Sequence, residues 1–198
     1  MKTLFTAVSI LILALLVPAA NAGASLSVYG GANWTEPFDA GKIHFEPQIG
    51  SVMGVTLGTP LTSIDSDLSG QLDVSFRQND IESDCFGGSD ETLGFLANLV
   101  YRVPVGTFPL KPYVLGGVGI ARRVIEVNTP WLSTYGATET GFAWQVGFGA
   151  DYEIAEGVRL GAGYRRFEAP DVSRSVFGNL STASGGNDSV VAEISFEL

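Results

Sequence analysis

Between residues 68 and 78 the chain reads LSGQLDVSFRQ, and apolar and polar side chains alternate strictly in its second half. Successive side chains of a strand point to opposite faces, so Leu72, Val74 and Phe76 share one face while Gln71, Asp73, Ser75 and Arg77 share the other. The same period of two recurs in segments 25–34, 48–57, 68–78, 92–102, 111–123, 141–152, 158–167 and 189–198, each near the 9–11 or so residues of a tilted bilayer-crossing strand. Segment 141–152 is the clearest: Phe142, Trp144, Val146, Phe148, Ala150 and Tyr152 oppose Gly141, Ala143, Gln145, Gly147, Gly149 and Asp151. Segment 111–123 is ambiguous, because both of its faces are small or apolar.

The connections alternate in length. Those at 35–47, 78–91, 124–140 and 168–188 are long and polar, the others are short, and the tightest is Ala155-Glu156-Gly157. An even strand count with alternating short and long connections predicts an all-β fold, an eight-stranded antiparallel up-and-down transmembrane β-barrel.

Two architectures could use these faces. A soluble sandwich, the module of an exported binding protein, would turn the apolar face inward, whereas a membrane barrel turns it toward lipid. Lys is nearly absent from the segments, and small Gly, Ser and Ala share the polar face with isolated charges. That composition suits the narrow lumen of eight strands, which side chains must fill. Charges enclosed there need partners, because an unpaired buried charge is costly. Asp73, Asp151, Glu193 and Glu197 stand against Arg77, Arg102, Arg159 and Arg165. We expect several of these, drawn from Asp73, Arg77, Arg102, Asp151, Arg159, Arg165 and Glu193, to form a lumen network that plugs the barrel. Trp34, Phe76, Tyr101, Tyr113, Tyr152, Tyr164 and Phe196 fall toward segment ends, as an interfacial girdle would need.

The N-terminus changes the compartment. MKTLFTAVSILILALLVPAANA carries one basic residue, an apolar run from Leu4 to Val17, then Pro18 and Ala20-Asn21-Ala22, so residues 1–22 read as a cleaved secretory signal peptide and 23–198 as one barrel domain. Beyond residue 22 no apolar run approaches the roughly 20 residues of a transmembrane helix, which leaves a closed barrel as the route into a bilayer. A formal net charge of -10 disfavours nucleic acid. Cys85 is the single cysteine, which rules out an intramolecular disulfide framework.

The leader, LKPYVLGGVGIA at 110–121, GFAWQVGFGADYEIAEGVRLGAGYRRF at 141–167 and the closing VVAEISFEL together resemble the small outer-membrane β-barrels of the OmpA transmembrane-domain, OmpX and opacity-protein type. The resemblance implies a bacterial outer-membrane location, contact with membrane lipid and lipopolysaccharide, a monomer, and loops free to meet a surface ligand. It also implies a C-terminal insertion signal read by the barrel-assembly machinery. Val190, Ala192, Ile194 and Phe196 match that signal, while Leu198 stands where an aromatic is usual.

Other chemistry is weakly represented, and no motif calls for a cofactor. Barrel enzymes acting on lipid A need a histidine, a serine and a carboxylate; the single histidine, His44, has only Asp39, Ser51 and Ser63 near it in sequence. A small-solute channel is a further alternative, which a plugged lumen opposes. The stretch 80–91 carries five carboxylates and no base, without the ligand spacing of an EF-hand, and reads as a solvated acidic loop. The clusters Gly116-Gly117-Val118-Gly119 and Gly147-Phe148-Gly149 lie within strands and relieve crowding rather than cradle phosphate. Asn33, Asn179 and Asn187 head sequons of the kind that arise by chance.

Overall fold

The computed structural model describes residues 23–35, 38–40, 43–45, 48–83, 86–106, 108–128, 135–176, 179–183 and 185–198. The expected leader at 1–22 and Cys85 lie outside them. Twelve strands follow one another among the described residues: β1 (Ser25–Thr35), β2 (Phe38–Ala40), β3 (Ile43–Phe45), β4 (Gly50–Pro60), β5 (Leu68–Ser83), β6 (Phe86–Arg102), β7 (Leu110–Asn128), β8 (Tyr135–Ala155), β9 (Val158–Glu168), β10 (Val172–Val176), β11 (Asn179–Ala183) and β12 (Gly186–Glu197). Eight of them form a closed antiparallel barrel in the order β1-β12-β9-β8-β7-β6-β5-β4, and β1 closes it by pairing with both β12 and β4. Within the closed ring each strand is paired on both sides, the condition a sheet must meet in hydrocarbon, while the extensions of β5 past Gln78 and of β8 before Trp144 are paired on one side. The remaining four make two small hairpins, β2–β3 and β10–β11, inside connections that the alternation pattern assigns to loops. They lie on one side of the barrel, where β11 packs against β2.

The barrel is inside out, and the pleat explains how. Phe142 and Phe148 on β8 are 65% and 61% exposed, whereas Asp73, Arg77 and Gln145 are 1% exposed. The apolar members of each alternating segment point outward, and the polar ones fill the interior. Segment 111–123 resolves the same way: Val114, Val118 and Ile120 are exposed and Tyr113, Leu115 and Arg123 are buried.

Tyr113 therefore leaves the outer girdle to which its place near a strand end assigned it. It points into the lumen, where Gly149 and Gly163 on the facing strands supply the space; a Cβ at Gly163 would come within 2.7 Å of the phenol oxygen. Among the other girdle candidates, Trp34, Tyr101, Tyr152 and Phe196 are exposed on the outside.

Strand lengths are uneven. β1, β4 and β9 have 11 residues and β12 has 12, whereas β5, β6, β7 and β8 have 16, 17, 19 and 21. The connections read from sequence as loops at 78–91 and 124–140 are for much of their length continued ladders, with Gln78 paired to Glu91 and Ser83 to Phe86, and Val124 paired to Thr138. Their polar sequences concealed this, because a hairpin rising into water has no lipid face to make apolar. At the opposite end the turns are tight. β8 and β9 join through Glu156-Gly157, where Gly157 takes φ 71, a left-handed value that glycine adopts without strain.

Candidate functional site: the barrel lumen

The lumen is organised around Asp73 on β5. Its Oδ1 accepts a hydrogen bond from the Tyr29 hydroxyl at 2.9 Å. Its Oδ2 accepts from Gln145 Nε2 at 3.0 Å, Arg165 Nη1 at 3.3 Å and Asn98 Nδ2 at 3.4 Å. Arg165 then donates from Nη2 to Glu193 Oε2 at 2.8 Å and stacks over the Tyr29 ring at 3.9 Å. Glu193 Oε1 accepts from Ser195, whose oxygen in turn accepts from Ser27. The chain of contacts thus joins β1, β5, β6, β8, β9 and β12, and a carboxylate with four donors is well compensated for its burial.

The other expected charges are placed differently. Arg102 Nε donates to Asp151 Oδ2 at 3.2 Å near the tight-turn end, with Ser69 beside it. Arg77 is fully enclosed but meets no carboxylate among the described residues: Nη1 donates to Ser75 Oγ at 2.7 Å, the guanidinium lies 3.8 Å from the centre of the Phe167 ring, and Nε and Nη2 have no partner there. The four donors already on Asp73 occupy the nearest carboxylate. Arg159 lies farther toward the tight-turn end with its Nε enclosed and unpartnered, and Glu197 is exposed there.

Three features were not read from the sequence. First, Asp90, assigned to a solvated acidic loop, is 3% exposed and receives Arg123 Nη2 at 2.6 Å and Nε at 3.0 Å. The partner is 33 residues away on β7, and only the continued ladder brings the two together. Second, Asn33, Asn79 and Asn187 meet at the hairpin end of the lumen. Asn33 Nδ2 donates to Asn79 Oδ1 at 2.5 Å and to Asn187 Oδ1 at 3.0 Å; Ser189 donates to Asn33 Oδ1 and Thr35 to Asn187 Oδ1. Two of the three sequons are thus buried structural amides.

Third, apolar side chains share the interior, in groups around Tyr29, Val52 and Val191, around Leu96 and Phe167, and around Val100, Tyr113 and Leu115. A signal for some of these was present. Phe95-Leu96-Ala97, Leu99-Val100-Tyr101 and Val190-Val191-Ala192 are runs of three apolar residues, whose middle member faces inward whenever its neighbours face lipid.

On the outer wall, where β9 and β12 leave the apolar belt, Tyr164 donates to Asp188, and Arg166 bridges Asp188 at 3.0 Å and Glu168 at 2.5 Å. Of the insertion-signal residues, Val190, Phe196 and Leu198 are exposed on the outside, Ala192 faces the same way and Ile194 is half-exposed. Of the residues considered for hydrolysis, Asp39 and His44 are register partners in the β2–β3 hairpin and Ser51 lies at the same end on β4, whereas Ser63 lies in the turn at the barrel's other end.

The model of the family described as outer membrane protein beta-barrel domain matches residues 5–186. The outer membrane protein PagN of Salmonella typhimurium strain LT2 is 33% identical over 126 residues, which are 53% of this chain and 51% of PagN, so the aligned part spans about half of that relative. Among solved structures, Neisserial surface protein A superposes with a TM-score of 0.60 at 14% identity, over 89% of this chain and 98% of that one. A major outer membrane protein from Thermus thermophilus gives 0.55 at 13% identity, over 88% and 99%.

Proposed function

The chain belongs to the outer membrane protein beta-barrel domain family and lies in the bacterial outer membrane, and from that premise we propose that it is a plugged, monomeric barrel acting at the cell surface through its extended hairpins. In this reading residues 1–22 are removed on export, the barrel-assembly machinery inserts the domain using the strand ending at Leu198, and outer-membrane lipid and lipopolysaccharide surround it. The long hairpins face outward and the tight turns face the periplasm, the orientation general among such barrels.

The observation that carries the proposal is the change of character along β8. Its outward face is apolar from Phe142 to Tyr152 but reads Gly136, Thr138, Thr140 above that, while the ladder with β7 continues. A strand of 21 residues rises roughly 50 Å at a tilt near 40°, against an apolar belt of about 25 Å. The surplus stands in water as paired sheet, a firm platform for recognition rather than a slack loop. The filled lumen supports a scaffold over a channel.

The decisive experiment shortens the hairpins at 79–90 and 125–138 to tight turns and assays adhesion of expressing cells to epithelial cells and matrix proteins. The expected result is lost adhesion with unchanged heat-modifiable migration on a gel. Full adhesion by the shortened barrel would overturn the proposal. Planar-bilayer recording should detect no large conductance step, and a large one would refute the plug.

A further inference from the structure

At the end opposite the long hairpins, the barrel mouth holds a cavity of about 440 Å³. Arg102 and Ser69 form part of its wall, and behind them Asp151 uses one oxygen to accept from Arg102. Two further cations line the same space, Arg159 from β9 and Lys111 from β7. Neither makes an ion pair or a side-chain hydrogen bond among the described residues, and Arg159 Nε is enclosed without an acceptor. Asp67 and Glu197 stand on the rim, yet neither bridges to Arg159 or Lys111. Arg159 and the exposed Lys111 thus line one cavity as cations without an ion pair; like charges repel, and an anion between them offsets that repulsion.

From these observations we infer that the periplasmic mouth is a binding site for a phosphate group, held between Arg159 and Lys111 with Arg102 behind it. Two cations on separate strands, with the hydroxyls of Ser25, Thr59 and Ser66 on the same cavity, suit an anion with several oxygens better than a two-oxygen carboxylate. The volume falls in the range of small-molecule sites, and Val103 and Val105 give one wall an apolar character, so the phosphate has room to carry an organic portion. Such a group could arrive as a free periplasmic phosphate or as the headgroup of an anionic phospholipid in the inner leaflet.

The test uses the folded protein in an uncharged maltoside detergent. Calorimetric titration with inorganic phosphate forms one arm. The other dopes the micelle with phosphatidylglycerol, using phosphatidylcholine as its reference, and follows the thermal midpoint. Binding in the first arm assigns a free anion, and a raised midpoint with phosphatidylglycerol alone assigns the lipid headgroup. Arg159→Gln and Lys111→Gln should each weaken the response at least about tenfold, the loss of one charge-assisted hydrogen bond. Asp67→Asn should strengthen it by removing a competing carboxylate. Unchanged gel migration controls for folding in every variant. The inference fails if neither ligand acts, or if both Gln variants respond like the unaltered protein.

Discussion

Around Asp73 four other strands of the ring, β1, β6, β8 and β9, send phenol, amide and guanidinium donors to a single carboxylate, whereas around Asn33 only β1, β5 and β12 send side chains, all of them amides and hydroxyls. Both clusters lie inside the barrel and both are buried. They differ in what a vacancy would leave behind. An amide that loses a neighbour retains other bonds and no net charge, but Arg165 without Asp73 keeps a full buried charge with the half-buried Glu193 as its one remaining carboxylate among the described residues. Charge therefore concentrates stabilisation on a few atoms, and amides distribute it. Arg77 marks the boundary between the two regimes: a buried cation supported by an aromatic face and one hydroxyl, with two donors unmet.

The largest effect should follow from breaking the charged cluster at its centre. Asp73→Ala leaves Arg165, Tyr29 and Gln145 without their shared acceptor and should lower unfolding free energy by about 3–5 kcal/mol, read from urea titration in lipid or detergent. Next, combining Asp73→Asn with Arg165→Gln should cost less than the sum of the two single changes, with a coupling of about 1–3 kcal/mol; strict additivity would show that the two side chains do not act as a unit. Asn33→Ala should cost about 2 kcal/mol, the loss of amide bonds within a cluster that stays neutral. A loss equal to that of Asp73→Ala would erase the distinction between the clusters. Smallest of all, Arg77→Met keeps apolar contact with Phe167 and removes the unmet donors, so it should change stability by no more than about 1 kcal/mol. A collapse of the fold would reveal a partner for Arg77 that the contacts do not contain.

The facing rule was fully legible in the sequence for segments such as 141–152, where every outward and inward residue follows from alternation. It was not legible for Tyr113, whose facing depends on glycines on two neighbouring strands. Of the expected charges, Arg165 meets Asp73 and Glu193 and Arg102 meets Asp151, whereas Arg77 and Arg159 meet no carboxylate among the described residues and Glu197 is exposed. Their pairing was not visible. Asp90 looked solvated because its local neighbours are acidic, and its partner Arg123 belongs to a different strand. The hairpins β2–β3 and β10–β11 were missed because strands of three and five residues are too short for a period of two to stand out from a loop.

Local geometry is written in the chain: a period of two fixes which residues share a face, and the length of each apolar run fixes how much of a strand lipid can cover. Which interior groups meet is set by the folded ring. Tyr29, Asp73 and Arg165 are separated by 44 and 92 residues, and they touch because the ring of strands closes and sets one register. Closure is a property of all eight strands at once, so no single segment carries the information that places a carboxylate beside its guanidinium.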